Sequence, residues 1–152
     1  MASQHINAFC LDRLERYLFA GDKTGQLWVI DLDTFAVLHK VQSHPGTIQG
    51  MAIHPHENKV ALLGKDRAVS VWSYDEKGKP KRVFQHSIRD YSPDDFDAIH
   101  SECQGIAFHP HLPLLATRSG NSGLIELNYA DVNAVNLVTC LRVADIADIA
   151  TV

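Results

Sequence analysis

Apolar residues in this chain come in short runs, most of them five to eight residues long, and each run stops at a turn-forming residue. "INAFCL" (6 to 11) gives way to "RYLFA" (16 to 20), the turn "GDKTG", then "QLWVID" (26 to 31) and "FAVLHKV" (35 to 41). "TIQGMAIH" (47 to 54), "KVALL" (59 to 63), "AVSVWSYD" (68 to 75) and "KRVFQ" (81 to 85) repeat the series. A third round offers "QGIAFH" (104 to 109), "PLLATR" (113 to 118), "GLIELNY" (123 to 129) and "VNLVTCLRV" (135 to 143). Runs this short, rich in Val, Ile, Leu and aromatics and bounded by Gly, Pro, Asn and Asp, predict strands. The chain therefore predicts an all-β protein of four strands per unit, three times over.

The repeat is visible in the words as well as the pattern. "GMAIHPH", beginning at Gly50, returns as "GIAFHPH", beginning at Gly105, and aligning Ala8, Ala52 and Ala107 gives spacings of 44 and 55 residues. The first spacing suits one four-stranded unit of about 40 to 45 residues, and the second asks for an 11-residue insertion.

Particular residues then resemble the WD-repeat β-propeller family. Trp72 in "SVWSYD" stands at the family's terminal Trp of the third strand, with Ser73 in place of its Asp; Ile30 and Asp31 hold the matching pair in "WVIDLD", and Asn128 and Tyr129 in "IELNYAD". His44 in "QSHPGTIQG" resembles the family's histidine between one unit's fourth strand and the next unit's first, and His86 in "FQHSI" resembles it at the following junction. Gly25 and Asp66 recover parts of the family's Asp-Gly turn. The resemblance implies radial blades of four antiparallel strands. Blade 1 covers about 6–41, blade 2 about 47–85, an acidic insertion 86–103, blade 3 about 104–143, and the start of a fourth blade about 146–152. Three blades do not close a ring, so the expectation is an incomplete propeller, completed by further sequence or by other chains.

On that reading Pro55 and Pro110 end the first strands, since each fixes φ and withdraws a donor the ladder no longer needs. His54, His56, His109 and His111 then flank strand ends. An extended backbone turns alternate side chains apart, which makes chelation by one His-Pro-His awkward. Small residues Gly50, Ala52, Gly105 and Ala107 suit inner strands that converge, and the aromatics Phe9, Phe108, Trp28 and Trp72 are expected to fill the space between blades.

Composition narrows the function. With 14 Lys and Arg against 18 Asp and Glu and a formal net charge of -4, no bulk basic character points to nucleic acid. "MASQHINAFC" lacks a basic n-region and apolar h-region, and no apolar run approaches the roughly 20 residues a bilayer span needs, so a cytoplasmic protein without membrane contact is expected. Three cysteines, Cys10, Cys103 and Cys140, neither pair up nor show zinc spacing. No nucleophile elbow, phosphate loop or His-Glu-x-x-His helix occurs. No cofactor or metal is expected.

The candidate site is the insertion. It carries Asp90, Asp94, Asp95, Asp97 and Glu102 against Arg89 alone, and Ser92-Pro93-Asp94-Asp95 predicts a short helix over 93–101. The reading is a non-enzymatic protein-interaction scaffold, with Arg89, Asp90, Tyr91, Asp94, Asp95 and Asp97 as the partner-binding set for a protein or peptide. The alternative is a propeller enzyme, or a metal- or cofactor-binding protein, using central-channel histidines.

Overall fold

The computed structural model describes residues 5–66, 68–87, 106–112, 114–119, 124–129 and 137–142; residues 88–103 of the insertion and the start of a fourth blade lie outside them. Twelve strands form among them. β1 (Ile6–Leu11), β2 (Tyr17–Asp22), β3 (Gln26–Asp31) and β4 (Val37–Gln42) make one sheet. β5 (Ile48–Ile53), β6 (Lys59–Gly64), β7 (Ala68–Tyr74) and β8 (Pro80–Ser87) make the second, and β9 (Ile106–Phe108), β10 (Leu114–Ser119), β11 (Leu124–Tyr129) and β12 (Leu137–Arg142) the third. Each sheet is an antiparallel meander in sequence order, and β5 lies beside both β1 and β9. The first strands are thus the convergent inner edges of neighbouring blades.

Two cores hold the blades together, and period-2 alternation explains both. Tyr17, Phe19, Leu27 and Val29 of the first sheet meet Ile48, Met51, Val60, Leu62, Trp72 and Tyr74 of the second. The second sheet's other face sends Ala61, Leu63, Val69, Val71 and Phe84 against Ile106 and Leu115 of the third. Alternate positions in β6 and β7 thereby serve opposite cores, and both strands read as almost uninterrupted apolar runs. Leu62 and Val71 are fully buried. Removing one such side chain costs about 2–5 kcal/mol.

Equivalent positions are fixed by backbone bonds at the ends of the inner strands. The Asp12 amide donates to Tyr17 O, the His54 amide to Lys59 O and the His109 amide to Leu114 O, each near 2.9 Å. The structural spacings are therefore 42 and 55 residues. Ala8 corresponds to Gly50, not Ala52, and the expected 44 is two too long. A slip of two leaves each residue on the same face of its strand, so the hydrophobic pattern tolerated it. The matching register shifts between Ile6 and Ala8 and between Ile48 and Gly50 confirm the corrected frame.

One expected core residue is out of place. Phe9 is 64% exposed, because it lies on the face of the first sheet turned away from the second. Trp28 shares that face and is half-buried, whereas Trp72 lies in the first core and Phe108 packs against the second.

Candidate functional site

The junction between the first two blades carries the most organised polar chemistry among the described residues. Gly25 turns the β2–β3 hairpin at φ 88°, a conformation that favours glycine. Its carbonyl accepts the amides of Ser43 and His44 and the Ser43 hydroxyl. A β-carbon on Gly25 would lie 1.9 Å from His44 O. The connection from β4 to β5 is thereby clamped to the preceding hairpin, and Gln42 Nε2 and Thr47 Oγ1 add bonds to Thr24 O and Lys23 O.

This clamp aims His44 into the second blade. His44 Nδ1 lies 3.0 Å from Asp66 Oδ1, His44 Nε2 lies 2.9 Å from Ser70 Oγ, and Trp72 Nε1 donates to Ser70 Oγ at 2.9 Å. One set of protons satisfies the chain. His44 Nδ1–H donates to Asp66, the Ser70 hydroxyl donates to Nε2, and the same oxygen accepts from the indole. Gly64 makes room for it, since a β-carbon there would approach His44 Nδ1 to 2.5 Å. Ser70 and Trp72 share a strand face because they are two apart.

Aspartate, histidine and serine in this order resemble a nucleophilic triad, but the geometry serves packing. Ser70 is 1% exposed and His44 2%, and the hydroxyl is already engaged on both sides. A hydroxyl must reach a substrate carbonyl beside an oxyanion site to act as a nucleophile. The relay instead satisfies buried polar groups that would each cost about 1–3 kcal/mol unpaired.

Asp12 organises the opposite end of the same interface. It is buried and accepts from Tyr74 Oη of the second blade, from Arg16 Nε at 2.9 Å and from the Arg16 amide at 3.0 Å. Burial pushes its pKa upward, but bonds from Arg16 and Tyr74 overcome this and hold the carboxyl below its ordinary value. Burial, with Asp12 alongside, raises Tyr74. Burial also pushes the Cys10 thiol up to about 12, so it packs as an inert apolar group.

His54 and His109 close their strands as expected, and Pro55 and Pro110 follow in the bends. No group of three or more His, Cys, Asp or Glu suited to a metal ion occurs among the described residues. Nor is any helix among them long and apolar enough to cross a membrane. His86 lies inside β8 opposite Val69, the place Val41 takes opposite Leu27 in the first sheet. It does not repeat the position of His44, which comes three residues after Val41 and beyond the end of β4. Arg89, Asp90, Tyr91, Asp94, Asp95 and Asp97, with the helix expected over 93–101, lie outside the described residues.

No family model matches the sequence. The chain is 27% identical over 106 residues to human WD repeat-containing protein 3, covering 67% of this chain and 11% of that protein. It is 27% identical over 64 residues to a DDB1- and CUL4-associated factor 11 homolog of Caenorhabditis briggsae, covering 42% of this chain and 12% of the relative. Among solved structures, the β-propeller domain of Myceliophteria thermophila Cps50 (Swd1) aligns with a TM-score of 0.72 at 13% identity, over 91% of this chain and 43% of that one. The WD40 repeats of RRP9 align with a TM-score of 0.70 at 12% identity, over 93% and 40%.

The sheets have the four-stranded blade fold of WD40 β-propellers, and the sequence is similar to WD-repeat proteins. At the first junction the structure brings together His44, Asp66 and Trp72, three residues that the resemblance had matched separately. Sequence reasoning missed Ser70, Asp12 and Asp22. Ser70 was legible as the hydroxyl two positions before Trp72 on one strand face. Asp22 was legible in "DKTGQ", an acid followed by Thr and Gly, the pattern of a side chain that caps its own turn. Asp12 was harder to read, because only Arg16, four residues on, is a local partner, and Tyr74 lies on β7 of the second blade.

Proposed function

We propose that the chain is a non-catalytic scaffold that presents one end of its blades to a protein or peptide partner. WD-repeat propellers generally serve as protein-interaction scaffolds. The chain spans only 11–12% of the curated relatives described and 40–43% of the solved propellers, so the partner surface is argued from this chain's own topology.

The observation that carries the reading is where the junctions gather. The β4–β5 connection bonds directly to the β2–β3 hairpin, so both emerge at one end of the blades. β8 ends at Ser87 opposite Ala68, next to the β6–β7 turn and so at the corresponding end of the second blade. Support for the acidic insertion as the docking element comes from its charge, which suits a basic or amide-rich partner and acts mainly on encounter rate and selectivity. Tyr91 supplies an aromatic anchor of the kind that dominates interface energetics. The name of one relative records association with DDB1 and CUL4, which is consistent with a scaffold role.

The test is affinity capture with the intact chain, with a deletion of residues 88–101, and with Tyr91→Ala and Asp95→Ala. Loss of the same binding partner from the deletion and from the double substitution is expected. Retention of every partner by both variants sinks the proposal.

A further inference from the structure

We infer that the two His-Pro-His turns form an acid-sensitive clasp between the second and third blades. The turns at 54–57 and 109–112 are built alike. His54 Nδ1 accepts the amides of His56 at 3.0 Å and Glu57 at 2.9 Å. His109 Nδ1 accepts those of His111 at 3.0 Å and Leu112 at 2.9 Å. A nitrogen receiving two N–H groups is the unprotonated one, so each ring carries its proton on Nε2. Protonating Nδ1 ends both bonds and turns an acceptor against two donors.

The turns also touch each other. His56 Nε2 lies 2.7 Å from Pro110 O, and the His56 and His111 rings are near-parallel at 6.2 Å and 23°. His54 packs on the Phe108 ring at 4.9 Å. Together they border a cleft of about 240 Å³ lined by His54, His56, Glu57, His109, His111 and Leu112.

The charged and titratable groups facing His54 come from its own turn with the start of β6, and from the β1–β2 turn. Glu57 Oε2 lies 3.6 Å from His54 Nε2 and favours the charged ring, while Lys59, His56 and Arg13 oppose it. His109 meets the His111 ring at 6.3 Å. Burial is the largest influence on His54 and holds its imidazole below the ordinary value of 6.5. A depressed histidine stabilises the fold fully above the unfolded value and loses that contribution as pH falls below it.

The first blade supplies the contrast. Asp12 occupies the equivalent strand end and accepts the Arg16 amide through a carboxylate held ionised by Arg16 and Tyr74. That turn does not titrate near neutrality.

Amide hydrogen exchange on the full chain, corrected for intrinsic rates, tests this. Between pH 7.5 and 5.5 the protection of the His56, Glu57, His111 and Leu112 amides falls by about 3- to 10-fold, and that of the Arg16 amide holds. His54→Asn with His109→Asn keeps an oxygen acceptor and removes the fall. An unchanged protection in the native chain, or an equal fall in the double variant, overturns the inference. Imidazole nitrogen shifts of the native chain decide it independently of the variant: Nδ1–H tautomers at His54 or His109 at pH 7.5 overturn it too.

Discussion

The first two blades solve the same local problem in different ways. In the first, Asp22 works inside its own hairpin: its carboxylate accepts the amides of Thr24 and Gln26 at 2.9 Å each, the Thr24 hydroxyl at 2.7 Å and Trp28 Nε1 at 2.8 Å. In the second, the Trp72 indole is satisfied through Ser70 and His44, a residue supplied by the preceding connection. One device fixes a hairpin and the other fixes a hairpin to its neighbour. The blades differ in burial to match, since the second is covered on both faces by apolar cores and the first on one. Propeller stability therefore resides in blade pairs.

The largest effect that can break this comparison uses two phenylalanines on opposite faces of the first sheet. Phe19 is fully buried against Tyr17 and Tyr74, with the Tyr74 ring at 4.7 Å. Phe19→Ala is expected to cost about 3–5 kcal/mol in chemical unfolding. Phe9→Ala, at 64% exposure, is expected to stay within about 0.5 kcal/mol. Equal losses would mean that the outer face of this blade is covered in solution.

The junction relay gives the next effect. His44→Ala leaves Ser70 and Asp66 without their imidazole and is expected to cost about 1–3 kcal/mol. His44 and Asp66 should show a coupling of about 0.5–3 kcal/mol in a double-mutant cycle. Asp22→Ala should cost a similar amount and yet raise amide exchange only over 24–28. If exchange at 43–46 rises equally in the Asp22 variant, the local and cross-blade devices are not separate.

Much of this was legible in the sequence, and the limits have physical causes. Strand order and blade count followed from period-2 runs and turn residues, because those depend on neighbours in the chain. His44 and Trp72 stood out because the family resemblance assigns each a named place in the repeat. The spacing of 42 did not, since the alternation repeats every two residues and only the amides of Asp12, His54 and His109 select the frame. The exposure of Phe9 was hidden for a related reason: alternation says that a strand has two faces, and only the neighbouring sheet says which is covered.

The interface end held by Asp12 predicts a limb of acid sensitivity. Asp12 and Asp22 are both lowered from 3.8, burial being outweighed by hydrogen bonds from Arg16 and Tyr74 in one and chiefly from Trp28, Gln26 and Thr24 in the other. A depressed carboxyl contributes stability above its unfolded value and loses it as pH falls through the folded one. Unfolding followed by fluorescence should therefore show stability declining below about pH 4. Asp12→Asn should lower stability at pH 7 by about 2 kcal/mol and flatten that decline. A decline of the same steepness in Asp12→Asn would assign it to other carboxyls.

The smallest effect compares two cations stacked on the two tryptophans. Arg82 lies 5.0 Å above the Trp72 ring and also donates through Nη2 to Ser43 O at 3.0 Å, so it reaches across to the junction. Lys40 lies 4.7 Å above Trp28 and is exposed on the outer strand of its own blade. Cation–aromatic contacts at exposed sites are worth about 0.5–1 kcal/mol. Arg82→Ala loses that contact and a junction bond, and is expected to cost about 1–2 kcal/mol. Lys40→Ala is expected to cost about 0.5 kcal/mol or less. Arg82→Lys separates the two contributions, because an ammonium keeps the charge over the ring without the planar fork that reaches Ser43. Recovery of full stability by lysine would show that the ring contact suffices and that the bond to the junction adds nothing.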